Sequence, residues 1–253
     1  MNLFDLTGEV AIIIGGSRGI GFAIAEGLAQ AGASVVIASL TDENAQRAAK
    51  ALKAERLEAT AIQTDVNDIQ SISTLVSKVI IDFGKIDILV NSAGVIVRKS
   101  AEEVSEREWN FILDVNLKGL FFCSQLVGKE MIKRRKGKII NISSDVSQKV
   151  RSGLSVYSIS KAGLSQLTKA LAVEWAKYNI QVNAIAPGTT LTEMTKSFLE
   201  KNPSLLEERK RANPTGRLGE PSDYIGAAIF LASKTSDFVN GQTYFIDGGA
   251  TIW

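Results

Sequence analysis

Short apolar runs alternate along this chain with longer stretches whose apolar residues recur every three or four positions. Residues 10–14, VAIII, contain no polar member, the pattern of a strand buried on both faces. Similar runs at 33–38, 59–64, 86–90, 138–142, 180–185 and 242–246 predict six further strands. Helices are predicted from the glycine turn after residue 14 to about 31, over 42–57 with Asp42 as N-cap, and over 68–83, 106–131 and 157–178. Within 68–83, Ile72, Leu75, Val76, Val79 and Ile80 fall on one face. Repeated strand–helix units give a parallel sheet covered by helices on both sides. The expected fold is therefore α/β, a Rossmann-type doubly wound seven-stranded parallel sheet, as one domain over 1–253. Residues 189–219 break the alternation, holding Pro203, Pro214 and many polar side chains; they read as an insertion beside a site, a small substrate lid.

The segment 12–21, IIIGGSRGIG, joins the first strand to the first helix. Glycines let backbone turn tightly and approach a diphosphate, and a helix N-terminus offers free N–H groups and a positive dipole end. Gly15, Ser17, Arg18, Gly19, Ile20 and Gly21 are thus candidate dinucleotide contacts. Tyr157 and Lys161 stand four apart on a predicted helix, hence on one face. A free phenol titrates near ~10, and a neighbouring ammonium lowers that value, so the pair is a candidate acid/base. Ser144 follows the fifth strand, where ligands bind in such sheets, and its hydroxyl is placed to bond a substrate oxygen; Ser143 is its rival.

Composition narrows the chemistry. The chain has no histidine, which excludes a Ser-His-Asp triad and a His-ligated zinc site. Cys123 is the single cysteine, so no intrachain disulfide and no thiolate cluster forms. A net charge of +2 gives no footing for nucleic acid. Residues 1–6 lack a basic region followed by an apolar stretch, and no uninterrupted apolar run approaches the ~20 residues of a membrane span. The expectation is a cytoplasmic protein without a membrane partner or a metal.

The ordered motifs resemble the short-chain dehydrogenase/reductase family over nearly the whole chain. They are Gly15, Gly19 and Gly21 in G-x-x-x-G-x-G spacing, Asn91-Ser92-Ala93-Gly94, Asn116, the Ser143-Ser144 pair, Tyr157-x-x-x-Lys161, Pro187-Gly188 and Asp247-Gly248-Gly249. The family's turn threonine is Ile14 here. The resemblance implies reversible hydride transfer between a nicotinamide cofactor and a carbonyl/alcohol, with Tyr157 as acid/base, Lys161 lowering its pKa and holding the nicotinamide ribose, Ser144 orienting the carbonyl, and Asn116 supporting a proton-relay water. It also implies cofactor contacts from Asp65 and Val66 at the adenine, Asn91, Ala93 and Gly94, and Pro187, Gly188, Thr190 and Thr192 at the carboxamide. Three of these have structural alternatives: Asn116 as a buried polar group satisfied by backbone, Asp65 as a turn former, and Thr192 as a helix N-cap.

NAD enzymes of this fold commonly place an acid at the end of the second strand; here that position is Ser39. Without a carboxylate a 2′-phosphate is not repelled, and Arg18 matches the residue that pairs with it in NADP-dependent members. NADP(H) is favoured, with NAD(H) left open. For the substrate, a small carbonyl/alcohol, the pocket is expected from 93–98, 145–154 and the insertion, with Arg98, Lys149 and Arg151 as candidate carboxylate partners. Residues 2–6, 108–110 and 236–241 look like the gluconate 5-dehydrogenase branch, whose paired arginines are Val97-Arg98 here. The alternatives are a 3-oxoacyl-carrier-protein reductase, with the basic run 133–138 as a carrier-docking surface, and a non-catalytic NADP-binding regulator. That run also reads as cations complementing a helix C-terminus that Gly137 ends. The family resemblance further implies a homotetramer.

Overall fold

Seven strands form one parallel sheet in the computed structural model, which describes residues 3–253, so Asn2 of the 2–6 resemblance lies outside it. The strands are β1 (Val10–Ile14), β2 (Ser34–Ser39), β3 (Ala59–Gln63), β4 (Ile88–Asn91), β5 (Gly137–Ile142), β6 (Ile180–Pro187) and β7 (Thr243–Ile246). Their spatial order is β3-β2-β1-β4-β5-β6-β7, the doubly wound arrangement expected. Ile14 at the end of β1 pairs with Ala38 on one side and Asn91 on the other. Chain direction therefore diverges between β1 and β4, and a crevice opens past their carboxyl ends.

Alternation along the strands divides the core in two. Ile13, Val35 and Ile37 face a layer made by α1 (Gly19–Gln30), α2 (Asp42–Ala54) and later α9 (Ile225–Ala232). Ile12, Ile14 and Val36 face α3 (Ile69–Phe83), α5 (Leu120–Arg134) and α6 (Ser155–Trp175). The periodicity reading leaves out α9, because IGAAIFLA is apolar all round and has no polar face to mark a helix.

Three local expectations are corrected. The N-cap of α2 is Thr41, and Asp42 instead supplies negative charge to the first turn. The helix expected over 106–131 is α4 (Glu106–Leu113), a π-helical segment Asp114–Gly119, and α5. The helix before β5 ends at Arg134 with Arg135 in the left-handed conformation, φ 52°, while Gly137 already belongs to the strand. A Cβ on Gly137 would lie 2.3 Å from Met131 Sδ, which is the packing reason for glycine there.

The segment Glu106–Arg134, 29 residues long, contains an 18-residue window of mean hydropathy 1.3, the length and apolar character of a membrane span. Here Leu120, Cys123, Val127 and Met131 are buried against the sheet, so it packs as a core helix. Residues 189–219 form α7 (Glu193–Glu200) and α8 (Pro203–Arg211), closed at the base by a parallel bridge between Thr190 and Gly219. The spacing of α5 and α6 fixes how the π segment and Tyr157 meet. Gly128 sets that spacing, since a Cβ there would lie 2.6 Å from Trp175 Cη2. Gly128→Leu is expected to lower stability by about 1–3 kcal/mol through overpacking, read by chemical denaturation; an unchanged midpoint would show that the helices part freely.

Candidate active site

The crevice past the strand ends is one continuous cleft of about 460 Å³, running from Ser39 and Arg18 at one end to Ser144, Tyr157 and Arg151 at the other. Its first half is built by the turn between β1 and α1. Gly15 has φ 75°, and a Cβ there would meet Ala93 N at 2.6 Å, so only glycine lets the turn lie against the loop after β4. Gly19 has φ 55° and opens α1, whose N-terminus is preceded by Arg18 and capped by no side chain. An uncapped helix N-terminus at the floor of a cleft fits a diphosphate. Ser17 and Ser39 share a hydrogen bond of 3.0 Å between their hydroxyls, and no carboxylate stands at the end of β2. Arg18 lies at the rim, its side chain 63% exposed, in an ion pair of 3.4 Å with Glu193 of α7. These groups fit a dinucleotide carrying a 2′-phosphate.

The middle of the cleft is lined by Ile20, Gly21, Asp65, Val66, Ala93, Gly94, Pro187, Gly188, Thr190 and Thr192. Asp65 and Thr192 keep their structural roles as well: Asp65 Oδ1 accepts from Asn67 N at 2.9 Å, and Thr192 is the N-cap of α7. Asn91 does not line the cleft. Its side chain is fully buried and donates to Ser124 Oγ at 2.9 Å and Asn141 Oδ1 at 2.8 Å, tying β4 to β5 and α5.

At the far end, β5 delivers two serines with different surroundings. Ser143 Oγ donates to Lys161 O at 3.0 Å and shares a 2.8 Å bond with Ser165, so the rival serine is tied to α6. Ser144 keeps its hydroxyl beside Tyr157, where it bonds the phenol. Asn116 sits in the π segment, a helical irregularity often found at functional sites. It is fully buried, accepting from Val95 N at 2.8 Å and donating to Val95 O at 2.9 Å and Ser160 Oγ at 3.1 Å. Ser160 Oγ then donates to Tyr157 O at 2.7 Å. Asn116 thereby clamps a cleft wall and the first turn of α6. Gly94 leaves the space between Asn116 and Lys161 open, since a Cβ there would lie 3.5 Å from both Asn116 Oδ1 and Lys161 Nζ.

Burial dominates the electrostatics of the Tyr157–Lys161 pair. Burial pushes the Tyr157 phenol up to about 12; the bond from Ser144 and the cations Arg98 and Arg151 oppose the rise, and Asp145 adds to it. Burial also pushes Lys161 down to about 8. Lys161 Nζ donates to Ile142 O at 2.8 Å and lies 5.8 Å from the Tyr157 ring centroid. With the protein's own groups alone, the amine does not make the phenol acidic, because desolvation disfavours both charged forms.

Of the candidate carboxylate partners, Arg98 and Arg151 line the cleft, whereas Lys149 turns away and donates to Ala250 O at 2.8 Å. Arg98 stacks over Phe198 of α7, its Cζ 4.2 Å from the ring centroid. Burial, and the charge of Arg209 on α8, hold Arg98 below its ordinary value. Sequence reasoning did not single out Asp145, Arg209 or Phe198. Asp145 adjoins Ser144 in sequence and was legible there; Phe198 and Arg209 reach the site only through the fold of the insertion.

A family model described as Enoyl-(Acyl carrier protein) reductase matches residues 14–251. The chain is 42% identical to the 5-keto-D-gluconate 5-reductase of Escherichia coli (strain K12), over 99% of this chain and 98% of that protein. It is 39% identical to the gluconate 5-dehydrogenase of Gluconobacter oxydans (strain 621H), over 99% and 98%. Among solved structures, a gluconate 5-dehydrogenase from Burkholderia cenocepacia J2315 in complex with NADP and tartrate superposes with a TM-score of 0.96 at 39% identity, covering 100% of this chain and 98% of that one.

Proposed function

The chain belongs to the short-chain dehydrogenase/reductase family, oxidoreductases acting on CH–OH groups, and on that premise we propose that it transfers a hydride between NADP(H) and a sugar acid of the gluconate/5-ketogluconate class. The observation that carries the substrate reading is a guanidinium, Arg98, that lines the cleft beside Tyr157 without a carboxylate partner. Arg151 is paired with Asp145, whereas no ion pair joins Arg98 or Arg209 to a carboxylate among the described residues. A guanidinium open to a cleft binds a carboxylate in fork geometry. The similarity to gluconate 5-dehydrogenases, one of them crystallised with NADP and tartrate, supports the same reading.

The cofactor supplies or accepts the hydride. The turn of Gly15, Ser17, Gly19, Ile20 and Gly21 holds its diphosphate on the N-terminus of α1, and Ser39 with Arg18 receives the 2′-phosphate. Asp65 and Val66 would flank the adenine, and Ala93, Gly94, Pro187, Gly188, Thr190 and Thr192, which line the cleft, would flank the nicotinamide end. Ser144 hydrogen-bonds the reacting oxygen of the substrate. Tyr157 gives that oxygen a proton in reduction and takes one in oxidation. Lys161, with an amine near 8, sits beside the pair to hold the ribose and to exchange a proton near neutral pH. Asn116 holds the wall at Val95, and a relay water would bridge it to Lys161 across the space beside Gly94. The insertion 189–219 acts as the lid, with Phe198 of α7 seated under Arg98. A homotetramer is the assembly we propose, using Trp109, Phe121 and Ile159, which are exposed on α4, α5 and α6.

The name of the matching family model favours a carrier-protein thioester as the second reading. Against it, the cations of the run 133–138 are already engaged: Lys133 with Glu130, Arg134 with Asp87, Arg135 with Lys177 O, Lys136 with Glu9 and Lys138 with Asp237. Parallel assays on 5-ketogluconate and an acetoacetyl thioester separate the two. Turnover of the sugar acid is expected, and activity on the thioester alone would discard the substrate reading. Tyr157→Phe should cut turnover by roughly 10²–10⁴-fold with NADP(H) binding intact by fluorescence; a biological effect that survives that loss would point to a regulator. Ser39→Asp should shift preference from NADP(H) toward NAD(H) by roughly tenfold or more in kcat/KM, since a carboxylate there repels the 2′-phosphate. Equal use of both nucleotides by the parent protein would contradict the assignment of Arg18 and Ser39.

A further inference from the structure

Asp145 opens the short 3-10 turn Asp145–Ser147 directly after Ser144, and it is 1% exposed. Both of its oxygens are engaged. Oδ1 accepts from Ser144 Oγ at 3.2 Å and from Arg151 Nη1 at 3.1 Å, and Oδ2 accepts from Arg151 Nη2. The Arg151 side chain is itself only 16% exposed. Ser144 Oγ also receives Val146 N at 3.4 Å. A serine hydroxyl has one proton to donate, and a carboxylate can only accept. Asp145 and Val146 N therefore fix the position of Ser144 Oγ, and its one proton rests on Asp145 until the phenol or the reacting oxygen takes it.

Such a carboxylate carries a penalty. A buried anion beside a phenol holds the phenol protonated, and the anion is itself unfavourable unless it is paired. Arg151 answers both problems by cancelling the charge where it arises. We propose that the Asp145–Arg151 ion pair is a positioning device for the hydride-transfer reaction, orienting the Ser144 hydroxyl while presenting no net charge to Tyr157. The inference rests on Tyr157 being the acid/base group. Two further cations face Tyr157, Arg98 on the loop after β4 and Lys161 one turn along α6, and behind them Arg209 of α8 faces Arg98, Arg151 and Asp145. Arg209 senses both members of the pair, so the double variant, which keeps the net charge of the pair at zero, separates positioning from charge.

The test compares Asp145→Asn, Arg151→Gln and the double variant with the parent. Two readouts are used: the pH dependence of alcohol oxidation, and the titration of the Tyr157 ring carbon by NMR in ¹³C-tyrosine protein without added nucleotide. The chain has four tyrosines, so Tyr157→Phe assigns the resonance. Asp145→Asn leaves Arg151 uncancelled and should lower the apparent pKa by roughly one unit; Arg151→Gln leaves the anion uncancelled and should raise it by roughly one unit. The double variant should return the pKa to the parent value but lose roughly ten- to hundredfold in kcat, because an amide without the Arg151 fork to fix it presents Ser144 with an acceptor in one orientation and a donor in the other. A residue with a merely structural role would lower kcat without moving the pKa in opposite directions. Shifts of the same sign in the two single variants, or no shift in either, would overturn the proposal. If a single variant fails to fold, the double variant decides: a parent pKa with reduced kcat supports the device, and parent kcat refutes it. The NMR titration proceeds without turnover, so failure of every sugar acid as a substrate would remove the substrate reading and leave the effect of the pair measurable.

Discussion

Burial of a phenol and an amine on one turn of α6 is the constraint on which the rest of the site depends. Desolvation drives Tyr157 up to about 12 and Lys161 down to about 8, so the phenol is held neutral and the amine gives up its proton just above neutral pH. Such a pair is quiet until another charge enters. The groups arranged around it are those that decide how far the phenol moves: Ser144 with a hydrogen bond, Arg98 and Arg151 as cations, and Asp145 as the opposing anion. Fixed charge in a dry cleft acts more strongly than the same charge in water, which is why a short loop between β5 and α6 can tune a proton transfer.

The sheet brings this pair to a dinucleotide turn. Chain direction diverges between β1 and β4, and the same divergence opens the cleft that runs from Ser39 to Tyr157. Gly15 lets the turn press against Ala93, and the π segment lets Asn116 reach both Val95 and Ser160. One half of the cleft is thus backbone-rich and suited to phosphate. The other half is lined by guanidinium and hydroxyl groups suited to a small acid. The insertion lines part of the cleft and contributes Phe198 under Arg98.

Most of the fold was legible because parallel strands buried on both faces are continuous apolar runs, and each was followed by a helix or a glycine turn. What stayed hidden has physical reasons. The π segment is invisible to a 3.6-residue period, since Asp114–Gly119 keeps helical composition while changing only its winding. The helix α9 lacks a polar face. In the site, Ser144, Tyr157, Lys161 and the glycine turn were readable from spacing, but Asn91 could not be separated from cleft-lining residues by its motif alone; its amide is directed into the core toward Ser124 and Asn141. Lys149 and Arg151 stand two apart in sequence, yet one bonds the backbone at Ala250 and the other pairs with Asp145. Spacing places Lys161 close to Tyr157, whereas burial sets the direction in which each is shifted.

The most direct measurement is an ultraviolet difference titration of the protein against its Tyr157→Phe variant, with and without oxidised NADP. In the protein alone, phenolate absorbance from Tyr157 should appear only as the pH nears about 12. With the oxidised nucleotide, whose ring carries a positive charge, the same absorbance should appear roughly two units lower or more. A phenol that titrates at one pH in both samples would contradict the assignment of Tyr157 as a base made active by charge entering its cleft.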